Sequence, residues 1–458
     1  MLDGIHKIHF IGIGGAGMSA LAHILVEKGF EVTGSELKDS PMAQKLTKLG
    51  AKIVFGHKAE NVNGVDAIVV STAIPDNNPE VVAAHALGIP KLHRSDINAA
   101  LVNSYKGIAV AGAHGKTTTT SMTGIILKDG GVEPTIIIGG EVDYLDGNAC
   151  LGKENGWLVS EADESDGSFL KLHPEIAVVT NVEDDHLDHY GTMDNIRKAF
   201  RQFIENIDKE TGCAVVCFDN ENIRNIAAQV DRKIISYAIE HDADYQAKNI
   251  KPEGMGTSFD VVKGGETLGH VKLNIPGRHN VLDALAAVVT SLVCGLTVSE
   301  AAKGLARFHG AKRRFETKAH VEDVWIVDDY AHHPTEVATT LRAARQTEPK
   351  RLICAFQPHR YSRTQLLAKE FGTAFGEADI LVLTGIYSAG EAPIPGVTGE
   401  TIFAEVVEAT GQKASYIEKR EDVASYLQSI AQPGDLIVTM GAGDIYKTGE
   451  ELAELLKK

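Results

Sequence analysis

Ala111-Gly112-Ala113-His114-Gly115-Lys116-Thr117-Thr118-Thr119-Thr120 takes up the end of the apolar run 107–112 and leads into a helical pattern that reaches about Lys128. A strand, a glycine turn and a helix in that order make a phosphate-binding loop. Glycines let backbone N–H groups approach an anion, and the helix N-terminus adds positive potential. Lys116 is placed to reach β- and γ-phosphates and Thr117 to ligate Mg²⁺. The loop is a shorter variant of the usual P-loop: five residues before Gly115 stands Val110, where that pattern wants glycine. Gly112, Ala113, His114, Gly115, Lys116, Thr117 and Thr118 are therefore the candidate triphosphate contacts.

Upstream lies a second glycine loop, Gly12-Ile13-Gly14-Gly15-Ala16-Gly17, between the apolar run Lys7–Ile13 and a helical stretch, Met18–Lys28. It satisfies G-x-G-x-x-G, and Glu36 follows the next strand at a spacing suited to a ribose contact. Two readings stay open. One is a dinucleotide site in a dehydrogenase. The other is a diphosphate on any nucleotide, which would use the same glycines and helix dipole. Further β-type runs alternate with helical patterns up to Ser104–Lys106, the expected end of this unit, and mark a parallel sheet with crossover helices.

Downstream of the phosphate loop, polar clusters follow predicted strands. Glu161-Ala162-Asp163-Glu164-Ser165-Asp166 comes after one, and Asn181-Val182-Glu183-Asp184-Asp185-His186 after the next. Ligands collect at the carboxyl ends of such strands. Glu161, nearest the strand end, is the preferred magnesium ligand, and His186 is a candidate to complete the metal shell. Alternating runs with frequent glycine predict a β-rich insertion over Ile234–Ile275. A third unit begins near Ala311. It carries Lys312-Arg313-Arg314-Phe315-Glu316, and polar loops at Asp328–Pro334 and Gln357–Thr364. Arg314 could stabilise a transferring phosphoryl group, and Arg360 and Arg363 could grip a carboxylate or phosphate. A single helix is expected over Gln365–Phe375.

Composition narrows the classes. The 458 residues suit two to four domains, and 43% are apolar, enough for several cores. A formal net charge of −17 argues against nucleic acid and anionic lipid as partners. The five cysteines are scattered, which fits reduced thiols in the cytoplasm. No signal-peptide pattern and no apolar membrane span stand out.

Taken together, these motifs resemble the Mur ligases of peptidoglycan synthesis over essentially the whole chain. The markers also include Gly277–Ala287 (GRHNVLDALAA), Asp328–Glu336 (DDYAHHPTE), Phe356–Thr364 (FQPHRYSRT) and Gly441–Ile445 (GAGDI). The resemblance implies an α/β protein of three domains. These are a Rossmann-like UDP-substrate domain (1–106), a central P-loop ATPase-like domain with a parallel sheet (107–311) and a Rossmann-like C-terminal ligase domain (312–458). It implies UDP-N-acetylmuramate, L-alanine and ATP as substrates and an acyl-phosphate intermediate. It implies Mg²⁺, with Mn²⁺ as the alternative, in a monomer or homodimer.

By the same resemblance, Lys116, Glu161, His186 and Arg314 are catalytic, and Thr117, Glu161 and His186 hold metal. Asn280 contacts adenine. Arg314 and Asp329 close over the phosphates and ribose of ATP. Gly14, Gly15, Gly17, Met18, Ser19, Ser35 and Glu36 form the UDP pocket, with Ser71 and Thr72 on its rim. Tyr330, His332, His359, Arg360 and Arg363 surround the muramyl carboxylate and the amino acid. Asp283 departs from the family pattern, which has a second Asn there, and is expected still to orient that loop. A recycling ligase that adds a preformed peptide is the close rival. The single-amino-acid branch is favoured by the Gly-Met-Ser turn at Gly17–Ser19 and by the His359–Thr364 loop.

Overall fold

The computed structural model describes residues 2 and 4–457; residues 1, 3 and 458, which the bounds 1–106 and 312–458 include, lie outside the described residues. Packing separates the chain into two compact units. One is Met1–Asn249 with Phe259–Lys272 and Leu282–Phe308; the other is Ile250–Ser258 with Leu273–Val281 and His309–Lys458.

The first unit opens with β1 (Lys7–Ile11), β2 (Glu31–Glu36), β3 (Lys52–Phe55), β4 (Ala67–Val70) and β5 (Lys91–His93). They form a parallel sheet ordered β3-β2-β1-β4-β5. Strand order reverses beside β1, so the first glycine loop leaves β1 at the switch point where such sheets bind ligands. Gly34 in β2 is needed there, because a Cβ at that position would press within 2.6 Å of Ile13 Cδ1. Crossover helices Ala16–Glu27 and Pro41–Leu49 follow β1 and β2. The second is well signalled: Ser40 Oγ accepts the Ala43 N–H at 3.2 Å, Pro41 opens the helix and Gly50 closes it at φ 115°.

Next come β6 (Lys106–Ala111), β7 (Thr135–Val142), β8 (Gly147–Cys150), β9 (Trp157–Glu161), β10 (Ile176–Val179), β11 (Cys213–Cys217) and β12 (Ile234–Ala238). β13 (Tyr245–Glu253), β14 (Gly256–Lys263) and β15 (Glu266–Leu273) supply the expected β-rich insertion. The sheet order is β15-β14-β13-β12-β11-β10-β6-β9-β7-β8. β10, β6, β9 and β7 run parallel, so their carboxyl ends share one edge, and β8 folds back antiparallel on β7.

The second unit carries β16 (Glu316–Val321), β17 (Val324–Asp329), β18 (Arg351–Phe356), β19 (Ile380–Thr384), β20 (Ala414–Ile417) and β21 (Asp435–Met440). The order is β16-β17-β21-β18-β19-β20, with only β16 antiparallel. Residues of β18 alternate between two cores: Leu352, Cys354 and Phe356 join one, Ile353 and Ala355 the other. Such a strand is buried on both faces and can offer polar groups only at its ends. The single helix expected over Gln365–Phe375 is instead two short ones, Tyr361–Leu366 and Ala368–Phe371. Leu367 between them, at φ −109° and ψ 15°, leaves helical geometry and breaks the run. Among the described residues, no helix is long and apolar enough to cross a membrane.

Candidate active site

Strand β6 is buried from Gly107 to its end, then the chain turns sharply. Gly112 sits at φ 142°, where a side chain would collide with Thr180 Oγ1 at the end of β10. Asn181 clamps the turn from the same strand end: its Oδ1 accepts the His114 N–H and its Nδ2 donates to the His114 carbonyl, both at 2.9 Å. Gly115 adopts φ 84° to start the helix Lys116–Asp129, and a Cβ there would run into the Asp283 carboxylate. Asp283 also accepts a hydrogen bond from Thr119 Oγ1 at 3.2 Å. It thus packs against both the bend and the first helical turn, as a loop-orienting residue should. Asp283→Ala is expected to raise the KM for ATP about tenfold through a loosened loop, whereas Asp283→Asn, which keeps an acceptor oxygen, should retain wild-type affinity. Steady-state kinetics decide it; unchanged ATP affinity and turnover in Asp283→Ala would remove the role.

Lys116 Nζ donates to the carbonyl of Gly112 at 2.5 Å and to Glu164 Oε1 at 2.7 Å. Burial opposes its charge, but the Glu164 carboxylate outweighs burial and holds the ammonium above the usual lysine value. Glu164 was not singled out from the sequence, where closeness to the strand end favoured Glu161 among four acids within six residues. The structure separates them. Glu161, the last residue of β9, turns Oε1 to the Gly139 N–H at 2.7 Å. Asp163 pairs with Arg94 and accepts from Ser165 Oγ at 2.6 Å. Burial alone would raise the Asp163 carboxyl, yet Arg94 and the Ser165 donors bring it to about 2. Glu164 is 3% exposed, and its Oε2 is buried without a hydrogen-bond partner. The Tyr190 hydroxyl donates to its carbonyl at 2.6 Å.

His186 takes a left-handed φ of 62° ahead of the short helix Leu187–Tyr190, which brings Nε2 to 3.5 Å from Glu164 Oε1. Burial would favour its neutral form, but hydrogen bonding to Glu164 and the Asp185 charge raise its pKa. Lys116, Glu164 and His186 therefore form one cluster. Among the described residues, no three His, Cys, Asp or Glu side chains gather closely enough to hold a metal ion by themselves. The donor chemistry nonetheless suits a hard cation: an orphaned buried carboxylate oxygen and further carboxylates follow strand β9, an imidazole lies in the segment after β10, and the Thr117 hydroxyl is in the first turn of the phosphate-loop helix.

At the first glycine loop, the N–H groups of Gly12 and Ile13 donate to the Ser35 carbonyl, and Gly14 N–H donates to Glu36 Oε2 at 2.9 Å. Met18, Ser19 and Ser35 are buried behind this loop. The Ser35 hydroxyl donates to the buried Glu80 carboxylate at 2.7 Å, and Ser19 Oγ to the Ala16 carbonyl at 3.0 Å. These two serines therefore shape the loop from within. Glu80 also receives Asn61 Nδ2 and stands 2.9 Å from His57 Nδ1; burial notwithstanding, hydrogen bonds from His9, Ser35 and Asn61 hold its carboxyl at about 2. Ser71 and Thr72 follow β4 at the rim of the switch point. One cavity of about 150 Å³ is lined by Gly17 of the first loop and by Lys116 and Glu161 of the second site.

In the second unit, both Asp329 oxygens are engaged, by the Phe315 and Ala331 N–H groups at 2.8 Å each and by Thr340. Burial pushes its pKa up to about 6 despite Arg314. Arg314 lies over the Tyr330 ring at 5.2 Å. Its neighbour Arg313 packs on the same ring, donates to Asp328 Oδ2 at 3.1 Å and reaches the Gly441 carbonyl at 2.6 Å. Asn280 donates to the Pro276 carbonyl at 2.6 Å. His332 and His359 stack edgewise, 5.8 Å apart, and His359 stacks on Tyr387, a residue the sequence reading missed. Arg363 Nη1 lies 3.2 Å from His359 Nδ1, and Arg360 is held at φ 70° with its N–H on the Tyr387 carbonyl. Burial, helped by these cations, lowers the His359 pKa to about 4; burial also lowers that of His332. Burial thus biases both imidazoles toward the neutral form beside two guanidinium groups.

A phosphate loop on a parallel sheet, a second nucleotide loop and a basic C-terminal cluster together define a nucleotide-dependent ligase. The chain belongs to the Mur ligase family: the Mur ligase family catalytic domain matches residues 7–106, the Mur ligase middle domain 110–291 and the Mur ligase glutamate ligase domain 313–443. It is 47% identical over 458 residues to the UDP-N-acetylmuramate–L-alanine ligase of Pelotomaculum thermopropionicum, covering 100% of this chain and 99% of the relative. The same enzyme of Desulforamulus reducens is 48% identical, over 99% of this chain and 98% of its own. Among solved structures, UDP-N-acetylmuramate–alanine ligase of Thermotoga maritima superposes with a TM-score of 0.83 at 30% identity, covering 98% of this chain and 99% of that one. A murein peptide ligase of Psychrobacter arcticus reaches 0.72 at 26% identity, covering 99% of each chain.

Proposed function

We propose that this protein joins L-alanine to the carboxylate of UDP-N-acetylmuramate, with ATP converted to ADP and phosphate, in peptidoglycan precursor synthesis. The observation that carries the reading is the cavity that runs from Gly17 of the first glycine loop to Lys116 of the phosphate loop. An acceptor held by its nucleotide at one loop thereby faces a phosphoryl donor at the other. The full-length identity to alanine-adding relatives supplies the choice of amino acid.

A carboxylate oxygen is a poor leaving group, so it is first phosphorylated: its bond to the γ-phosphorus forms as the bond to ADP breaks. Lys116 and the N–H groups at the start of its helix stabilise the charge that shifts toward ADP. The alanine nitrogen then bonds to the acyl carbon, phosphate leaves, and the nitrogen loses a proton. Arg360 and Arg363 suit the alanine carboxylate. His332 and His359 beside them are biased toward the neutral form by burial, and the neighbouring guanidinium groups disfavour the ammonium form of a bound amine. Thr117, Glu161 and His186 are the residues that would hold Mg²⁺, which would supply charge neutralisation at the phosphates. We place the reaction in the cytoplasm, on a monomer or homodimer.

The test offers each amino acid, and a tripeptide, separately with ATP and UDP-N-acetylmuramate, and identifies products by mass. L-Alanine is expected to be the preferred acceptor. Preferential use of the tripeptide would transfer the chain to the recycling branch. Oxygen-18 placed in the muramyl carboxylate is expected to appear in inorganic phosphate; amide product without that transfer would refute the acyl-phosphate route.

A further inference from the structure

Arg94 lines the same cavity but has no counterpart in the site read from the sequence. It is the first residue of the helix Arg94–Ser104, fixed there by a capping box in which the His93 N–H donates to Asp96 Oδ2 at 2.8 Å. Its guanidinium reaches the first glycine loop, with Nη1 3.4 Å from where a Gly17 Cβ would stand. Its other arm pairs with Asp163, the neighbour of the Lys116 partner Glu164.

A cation at a helix N-terminus is poorly placed by the dipole of its own helix. Here it also faces Gly17, in the first turn of the helix Ala16–Glu27, so positive ends converge on the cavity. An anion with several oxygens resolves that arrangement, and a planar guanidinium matches phosphate oxygens in a two-pronged grip. We propose that Arg94 binds the diphosphate of the UDP-linked substrate, exchanging the Asp163 carboxylate for phosphate oxygens. Gly17 is glycine because a side chain there would lie between the guanidinium and the phosphates.

This inference rests on the reading of the chain as a UDP-N-acetylmuramate ligase. Calorimetric titration of the full chain with UDP and with UMP tests it, using wild type, Arg94→Met and Arg94→Lys. Arg94→Met is expected to weaken UDP about 10- to 100-fold and to change UMP less than about twofold. Arg94→Lys, which keeps the charge but loses the fork, should fall between. ATP-analogue affinity should be unchanged in both variants, which controls for folding. Equal weakening of UDP and UMP, or unchanged UDP affinity in Arg94→Met, would overturn the proposal. A wild-type chain that binds no UDP and forms no alanine product would instead overturn the underlying reading, and the proposal with it.

Discussion

Lys116→Met is expected to reduce phosphate release in the presence of both co-substrates by about 10³-fold or more, the scale on which single charge-stabilising groups act in phosphoryl transfer. The reason is local. The ammonium lies inside the loop, bonded to the Gly112 and Ala113 carbonyls, and Glu164 keeps it charged. No other lysine or arginine lies in the loop, so nothing in it substitutes for that charge. UDP binding should survive, because the first glycine loop is built on a different sheet. Turnover within about tenfold of wild type would remove Lys116 from the chemistry.

The second large effect concerns Glu164. Glu164→Leu should leave a buried ammonium without its counter-charge and lower stability by about 3 kcal/mol. Combining it with Lys116→Met should restore much of that loss, because both members of the pair then go together. Activity should not return with it. Denaturant unfolding of the two single variants and the double variant measures the coupling. Additive losses would mean that the pair does not hold the loop, and a double variant that regains turnover would contradict the role of both residues.

Much of this was legible in the chain. The two glycine loops, the strand-end placement of Glu161 and His186, and the Asp328–Pro334 and Gln357–Thr364 loops depend on local patterns, and local patterns can be read one stretch at a time. Asp283 was legible too, as a departure from an expected Asn. Side-chain direction was not. In the run Glu161–Asp166 each acid looks alike until the strand end fixes which faces Gly139, which faces Arg94 and which is buried under Lys116. The resemblance put Ser35 in the UDP pocket, but its hydroxyl turns inward to Glu80, 45 residues away in the chain. Arg94 and Tyr387 escaped for the same reason: no motif surrounds them, and their meaning comes from what the fold sets beside them. The helix break at Leu367 is of this kind as well, since the residues on either side favour helix.

The cysteines carry a practical consequence. Cys213, Cys217 and Cys354 are buried, and burial pushes the Cys217 and Cys294 thiols up to about 12. Burial thus keeps these groups overwhelmingly as thiols at neutral pH. Electrophilic drugs and oxidants that disarm many enzymes through a reactive sulfur should therefore find little purchase here. The lysine of the phosphate loop offers no easier target, because Glu164 holds it as an ammonium with no free electron pair.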